Sequence, residues 1–233
     1  MEIVILIGGK GSRVKKISKN IPKSFLKIGK KSIIEHQLKY LSKIKKKIFL
    51  LSNIKFLKFH EKLKKKYKNI KFEIFEETMP LGTGGCLKSL SKYKNNNYLI
   101  VFGDLIFNIN FKKFYNFHKK NKSDLTFLVH PNDHPFDSDL LKINKKNQLT
   151  NFYKKPHKKN NIGNLSLSGI LIISKKIIKY IKPKKFQDLS KDILPELLKK
   201  RLKIYAYNTR EYVKDVGTPK RIKLVKKFAK KRA

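Results

Sequence analysis

The feature that most constrains the fold is an alternation of short apolar runs with helical patterns in the first half of the chain. Ser32 followed by Glu35 is a capping box, which predicts that a helix begins there. Short strands separated by helices of about 10–15 residues indicate a parallel, doubly wound sheet, whose ligands bind beyond the carboxyl ends of the strands. The predicted strands are 2–7, 47–52, 70–75 and 98–102, and the predicted helices are 32–45, 56–67 and 84–92.

The second half is richer in strand patterns. We find no internal repeat and no domain boundary, so we expect one domain over residues 1–233. Together the two halves predict an α/β fold with a Rossmann-like, doubly wound mixed sheet. The predicted strands are 125–129, 139–143, 148–153, 165–173 and 203–207, and the predicted helices are 174–181, 188–200 and 218–230.

The apolar runs are too short for a membrane protein. None approaches the roughly 18 residues that a spanning helix needs, and the opening run 3–7 is too short for a signal-peptide core. Cys86 is the single cysteine, which excludes an internal disulfide. We therefore expect a cytoplasmic protein with no membrane partner.

The net charge of +42 raises the question of nucleic-acid binding. Only five of the 58 basic residues are arginine, the residue that makes bidentate contacts to bases. The lysines are spread over every amphipathic segment, and no recognition fold or platform of interleaved aromatic residues is evident. We therefore predict no specific nucleic-acid partner, although the positive field favours small polyanions. The five arginines are Arg13, Arg201, Arg210, Arg221 and Arg232.

The first strand is followed by the segment GGKGSR at residues 8–13. Its spacing fits neither a Walker A loop nor the G-x-G-x-x-G dinucleotide motif. Backbone amides exposed by three glycines, followed by Arg13, suit a triphosphate. A plain glycine turn beside a surface arginine remains the alternative on this segment alone.

Four further segments follow in order: PKSFLKIGKKSIIEH from residue 22, PLGTGG at 80–85, VFGD at 101–104 and YVKDVGTP at 212–219. With GGKGSR, this set resembles the sugar-phosphate nucleotidyltransferases over nearly the whole chain. PLGTGG and the segment 130–141 are most similar to the heptose-1-phosphate guanylyltransferases of that family. The resemblance implies a glycosyltransferase-A-like nucleotidyltransferase fold and, since the chain ends soon after residue 219, no additional β-helix domain.

The resemblance also implies a reaction between a nucleoside triphosphate and a sugar 1-phosphate, which yields a nucleotide sugar and pyrophosphate. Such products supply the synthesis of lipopolysaccharide or other surface polysaccharides. Arg13 is expected to hold the β- and γ-phosphates, and Lys23 to face the α-phosphate. The expected nucleotide-binding residues are Gly8, Gly9, Gly11, Ser12, Arg13, Glu77, Gly82 and Thr83.

Asp104 and Asp215 are the expected metal ligands and Mg²⁺ the expected cofactor. Mg²⁺ is bound by one or two carboxylates together with phosphate oxygens and water, and two aspartates from separate loops suit that requirement. A lone aspartate before a loop is more commonly a turn or capping residue. The order of the motifs favours metal binding, and Asp104 is also expected to be catalytic.

The base and the sugar are less constrained. Glu77 stands where relatives that use uracil or thymine often have glutamine; an ionised carboxylate only accepts hydrogen bonds, which favours guanine. Lys155, Ser168 and Gly169 are the expected sugar-phosphate ligands. Lys154 replaces a usual glutamate and Ser168 a common asparagine, so the sugar pocket departs from the family pattern.

Two alternatives stay open at this point. The first is the same chemistry with UTP or dTTP. The second is a non-catalytic, nucleotide-binding regulatory homologue, against which the presence of both Asp104 and Asp215 argues. The sugar and the oligomeric state, a homo-oligomer included, are undetermined by the sequence.

Overall fold

The computed structural model describes residues 1–9, 21–132, 135, 138–157 and 162–230. Its strands are β1 (Glu2–Leu6), β2 (Lys27–Ile28), β3 (Lys31–Ser32), β4 (Lys47–Asn53), β5 (Lys71–Glu77), β6 (Asn97–Phe102), β7 (Leu105–Asn108), β8 (Leu125–Pro131), β9 (Leu140–Ile143), β10 (Leu149–Tyr153), β11 (Leu165–Ser174), β12 (Ile204–Asn208) and β13 (Tyr212–Asp215). Its α-helices are α1 (Ile33–Ile44), α2 (Leu57–Lys66), α3 (Gly82–Gly85), α4 (Phe111–Lys120), α5 (Lys175–Ile178), α6 (Leu194–Lys199) and α7 (Pro219–Lys230). Shorter turns are the 3₁₀ helices Lys23–Phe25, Ile54–Phe56 and Cys86–Lys92 and the π-helical segment Leu189–Ile193.

The chain divides into two compact units. The first unit comprises Glu2–Pro80, Val101–Asn108 and Tyr212–Ala233, and the second comprises Met1, Leu81–Ile100 and Ile109–Glu211. The expected single domain over residues 1–233 stays a prediction.

The first unit is built on three parallel strands. β4 pairs in parallel with β1 on one side and with β5 on the other. Ile3, Ile48 and Leu50 on the first two of these strands are fully buried. Because the strands are parallel, their carboxyl ends lie at one edge, as expected for a fold that binds its ligands there.

A second, antiparallel ladder of the first unit joins distant parts of the chain. β13 pairs with β7, with Asp215 opposite Leu105 and Tyr212 opposite Asn108. The β2–β3 hairpin, α1 and α7 pack beside this ladder through an apolar cluster. The buried members of the cluster are Leu26, Ile28, Ile33, Ile106, Val216 and Val225.

The second unit contains a sheet of mixed strand direction. β8 pairs antiparallel with β11 and parallel with β12, and β9 pairs antiparallel with β10 and β11. α4 contributes the buried Phe114, whose ring centroid lies 5.3 Å from that of Tyr207 on β12. The α/β class with a mixed sheet is therefore confirmed.

The predicted strands are confirmed to within a few residues, and the capping box is present, with the Ser32 backbone N–H donating to the Glu35 carboxylate at 2.6 Å. β2, β3, β7, β13 and α4 were not predicted. The predicted helix 174–181 is α-helical only at Lys175–Ile178, and 84–92 is largely a 3₁₀ helix. In the residues that the structure covers, none of the helices has the length and apolar character to cross a bilayer.

Candidate active site

The two predicted metal aspartates lie side by side because β7 and β13 pair. The Val216 N–H donates to the Asp104 carbonyl at 2.8 Å, and Asp215 lies opposite Leu105. The residues are separated by more than a hundred positions in sequence, and the ladder places them at the same end of adjacent strands. The side chains of Asp104 and Asp215 are 27% and 31% exposed, which leaves both accessible to a ligand.

Lys23 is brought to Asp104 by the 3₁₀ turn Lys23–Phe25, which follows Pro22. Its Nζ lies 2.5 Å from Asp104 Oδ2. The next residue, Ser24, is buried against Gly103: a Cβ on Gly103 would stand 2.5 Å from Ser24 Oγ and 2.7 Å from the Leu6 carbonyl oxygen. Only glycine permits this close approach, which fixes the turn that carries Asp104.

Asp215 is held by an arginine that was not among the predicted site residues. Arg221, in the first turn of α7, places Nη1 at 2.9 Å from Asp215 Oδ2. Asp104 and Asp215 thus each have one carboxylate oxygen paired with a cationic side chain. Because arginine is scarce in this chain, an arginine six residues after Asp215 could have been recognised from the sequence as a candidate partner of that carboxylate.

Gln37 is a second residue that sequence reasoning missed. Its Nε2 donates to the carbonyls of Phe102 and Leu105, both at 2.9 Å, and its side chain is buried. These two carbonyls flank Gly103 and Asp104. Gln37 on α1 therefore clamps the β6–β7 turn from both sides.

Gly8, Gly9 and Glu77 lie at the carboxyl ends of parallel strands. Glu77 is the last residue of β5, and its Oε2 is 3.5 Å from the position that a Cβ on Gly8 would occupy. Glu76 instead faces α2, where its Oε1 lies 3.4 Å from His60 Nδ1. Gly9 is exposed, and no residue that the structure describes comes within 4 Å of the position that a Cβ there would occupy. Glu77, and not Glu76, is therefore the acidic side chain beside Gly8.

A buried hydrogen-bond network lies at the carboxyl ends of β4 and β5, at the same edge of the parallel strands. Ser52 and His60 are both completely buried, with 2.7 Å between Ser52 Oγ and His60 Nε2. Burial lowers the pKa of His60, and the neighbouring Glu76 carboxylate opposes that shift. Because Ser52 has no access to solvent, the network serves to position the end of β4 and is no nucleophilic site.

In the second unit, Gly82 and Thr83 are engaged by the segment that precedes α6. The Thr83 hydroxyl donates to Asp188 at 3.2 Å and accepts from the Leu189 N–H at 3.0 Å. Gly82 has a φ of +77°, and a Cβ there would meet the Gln187 carbonyl at 2.5 Å. The glycines of this motif are thus required by packing, and the nucleotide contacts expected of Gly82 and Thr83 stay predictions.

The expected sugar-phosphate residues also belong to the second unit. The Ser168 hydroxyl donates to the Leu128 carbonyl at 2.8 Å and accepts from the Ile170 N–H at 3.2 Å. It lies in a register shift of β11 against β8, where Gly169 has a φ of +82°. The Lys155 backbone N–H donates to Asp139 at 3.0 Å, and the Lys155 side chain is exposed. Their role towards a sugar phosphate stays a prediction.

Gly11, Ser12 and Arg13, predicted to bind the triphosphate, lie outside the described residues. The first unit thus brings together Lys23, Asp104, Asp215 and, through hydrogen bonds, Gln37 and Arg221.

The two aspartates fit a divalent cation. Lys23 and Arg221 each occupy an Oδ2, and Oδ1 of both aspartates has no hydrogen-bond partner among the residues that the structure describes. No group of three or more His, Cys, Asp or Glu side chains suited to a metal occurs in that part of the chain. A pair of carboxylates completed by phosphate oxygens and water is the donor set that Mg²⁺ prefers.

Comparison with known proteins gives a consistent result. The model of the family described as Nucleotidyl transferase matches residues 2–232. Mannose-1-phosphate guanyltransferase of Saccharomyces cerevisiae is 30% identical over 228 residues, which cover 94% of this chain and 62% of the yeast protein. Glucose-1-phosphate adenylyltransferase of Clostridium acetobutylicum is 31% identical over 137 residues, which cover 55% of this chain and 36% of that protein. The chain therefore corresponds to less than two thirds of the length of either relative.

Solved structures match over almost the full chain. HddC from Yersinia pseudotuberculosis has a TM-score of 0.83 at 28% identity, covering 98% of this chain and 99% of that one. HddC complexed with GMP-PN matches with a TM-score of 0.82. A putative glucose-1-phosphate thymidylyltransferase from Bacillus anthracis has a TM-score of 0.87 at 18% identity, covering 100% of this chain and 96% of that one, and supports the fold alone.

Proposed function

Because the chain belongs to the nucleotidyl transferase family, we propose that it transfers GMP from GTP to a sugar 1-phosphate of the heptose or mannose type. The products are a nucleotide sugar and pyrophosphate. The family match confirms the resemblance drawn from the motifs.

The observation that carries the proposal is the pairing of β7 with β13. It places Asp104 and Asp215 together, each with Oδ2 bonded to a cation and Oδ1 unpartnered in the described part of the chain. A non-catalytic nucleotide-binding homologue has no need of two such carboxylates, so the pair favours an enzyme.

In the proposed reaction, a sugar-phosphate oxygen attacks the α-phosphorus of the triphosphate in line. A new P–O bond forms while the bond to the β-phosphate oxygen breaks, and pyrophosphate leaves. Such transfers depend on positioning and on neutralising charge rather than on covalent catalysis. Lys23 supplies a fixed positive charge where negative charge builds up on the α-phosphate, and Arg13 has the same task at the departing pyrophosphate.

Asp104 and Asp215 are the residues that would hold Mg²⁺, which when bound offsets the charge of the phosphate oxygens. Gln37 and Gly103 fix the backbone of Asp104, and Arg221 orients Asp215. Gln37 belongs to α1 and Arg221 to α7, and Gly103 lies in the turn between β6 and β7.

The choice of guanine rests on Glu77. A carboxylate at the Gly8 edge of the first unit accepts hydrogen bonds from the adjacent ring N–H and amino group of guanine, whereas uracil and thymine present carbonyl oxygens to it. The resemblance to guanylyltransferases of S. cerevisiae and to HddC supports the same base. The alternative is a UTP- or dTTP-dependent enzyme.

The sugar pocket is assigned to Lys155, Ser168 and Gly169 by resemblance. The product suits the synthesis of lipopolysaccharide or another surface polysaccharide in the cytoplasm, and a homo-oligomer is compatible with this role.

The test is a pyrophosphate-release screen that crosses GTP, ATP, UTP and dTTP with mannose, heptose, glucose and N-acetylglucosamine 1-phosphates in the presence of Mg²⁺. We expect release with GTP and mannose or heptose 1-phosphate. Release that depends on UTP or dTTP would establish the alternative base, and no release with any pair would favour the regulatory homologue.

A further inference from the structure

Five lysines of the first unit surround a single cavity of about 860 Å³. No acidic residue lines this cavity, and none of the five ammonium groups has an ion-pair or hydrogen-bond partner in the described part of the chain. The lysines are Lys27, Lys30 and Lys31 of the β2–β3 hairpin, Lys39 of α1 and Lys226 of α7.

Lysine is common throughout this chain, so its presence alone assigns nothing. Some lysines elsewhere do have acidic partners: Glu35 is bonded to Lys66, and Asp124 lies 3.3 Å from Lys176. Around the cavity, five lysines and no acidic residue of the described part of the chain line one concave surface. Such an arrangement focuses the positive field and costs repulsion that a bound anion relieves.

The inner wall of the cavity is apolar. Ile28 and Phe107 are almost completely buried, and the ring centroids of Tyr40 and Phe107 lie 6.1 Å apart at an interplanar angle of 51°. Phe228 of α7 completes the wall and stacks on Tyr212. His36 also lines the cavity, with Nε2 donating to the Ile28 carbonyl at 2.8 Å.

Volume and lining together define the class of ligand. Small-molecule sites enclose about 300–1,000 Å³ and combine apolar walls with a few convergent polar groups. An inorganic anion would use only the ammonium groups, and an uncharged hydrophobe only the aromatic wall. We propose that this cavity is a binding site for a small organic phosphate that carries a flat apolar or aromatic group.

The site is separate from the residues assigned to nucleotidyl transfer. None of Lys23, Asp104, Asp215 and Glu77 lines the cavity. The proposal therefore does not depend on the proposed activity.

The test uses calorimetric titration of the full chain with 1-naphthyl phosphate, 1-naphthol and inorganic phosphate. We expect one 1-naphthyl phosphate to bind per chain, at least about tenfold more tightly than either fragment, because each fragment lacks half of the contacts. Equal affinity of inorganic phosphate would show a purely electrostatic association and overturn the proposal.

Matched variants locate the site. Lys27→Ala/Lys39→Ala removes two lining charges, and Lys58→Ala/Lys62→Ala removes two exposed charges of α2 that do not line the cavity. We expect the first pair to weaken 1-naphthyl phosphate binding about tenfold and the second pair less than about twofold. Equal losses in both pairs would contradict the proposal.

Discussion

Two adjacent glutamates at the end of β5 have different surroundings. Successive side chains of a strand point to opposite faces of a sheet. Glu76 accordingly faces His60 at 3.4 Å, while Glu77 lies beside Gly8. Only Glu77 therefore lies at the Gly8 edge of the first unit, where we propose that the nucleotide binds.

We predict that Glu77→Gln lowers the preference for GTP over UTP. The carboxylate accepts from two donors of guanine, and an amide that can also donate tolerates the carbonyls of uracil; such a mismatch costs about 1–3 kcal/mol, or roughly ten- to a hundredfold. The measurement is kcat/KM for both nucleotides in wild type and variant. Glu76→Gln is the control, and a ratio that stays unchanged in Glu77→Gln would remove this residue from base selection.

His118 makes folding stability depend on pH. Burial lowers its pKa from 6.5 to about 4, and Asp124 opposes the shift. Between these two pH values the unfolded state therefore binds more protons than the folded state. The contribution of His118 to the free energy of unfolding is fully present above pH 6.5 and is lost as the pH drops towards 4, by up to about 3 kcal/mol. Urea unfolding of wild type and His118→Asn across this range checks the effect. We expect a shallower pH dependence in the variant, and identical slopes would refute the assignment.

At the scale of secondary-structure elements, the β6–β7 turn is held by a contact from α1. Gln37 donates to the carbonyls on either side of Gly103–Asp104. We predict that Gln37→Leu leaves both carbonyls unsatisfied, lowers the free energy of unfolding by about 1–3 kcal/mol and raises the Mg²⁺ concentration needed for half-maximal turnover.

The control for this prediction is Gln187→Leu in the second unit. Gln187 is also buried, and its Oε1 accepts from the Lys182 N–H at 2.7 Å. A comparable loss of stability in this variant, without a change in the Mg²⁺ titration, separates positioning of Asp104 from general destabilisation. If both variants left the titration unchanged, Gln37 would have only a structural role.

The local sequence pattern was sufficient to predict the strands and helices with clear periodicity. It was insufficient for strands whose pairing partner lies far away in the sequence. β7 and β13 have four residues each and find one another across more than a hundred positions, so neither carries a local signal of its partner. Gln37 was missed for the same reason, because its acceptors are backbone carbonyls 65 and 68 residues away.

α4, by contrast, was predictable. Asn110 caps it by accepting from the Lys113 N–H at 3.0 Å, and the buried Phe111, Phe114 and His118 follow at helical spacing.

The motif PLGTGG was predicted from the sequence to bind the nucleotide, and the structure shows that its glycines are also required by packing. Gly84 and Gly85 both donate to the Gln187 carbonyl, and Cβ atoms there would stand within 2.5 Å of Ile193 and the Lys185 carbonyl.

At the scale of the whole molecule, a charge of +42 on 233 residues dominates long-range interactions. We predict that duplex DNA binds weakly, without sequence preference, and that the affinity falls steeply with added salt, because only counterion release drives it. Fluorescence anisotropy with two unrelated duplexes at several salt concentrations checks this. Tight, sequence-dependent binding at physiological salt would contradict the prediction that the chain has no specific nucleic-acid partner.

The central claim is that the β7–β13 ladder assembles a centre for nucleotidyl transfer from Asp104 and Asp215. The most direct test is Mg²⁺-dependent pyrophosphate release from GTP and the best sugar 1-phosphate by wild type, Asp104→Asn and Asp215→Asn. We predict that each variant keeps the wild-type circular dichroism spectrum and loses at least about a hundredfold in turnover, because each removes charge that offsets phosphate repulsion. Turnover at the wild-type rate in either folded variant would contradict the claim for that residue.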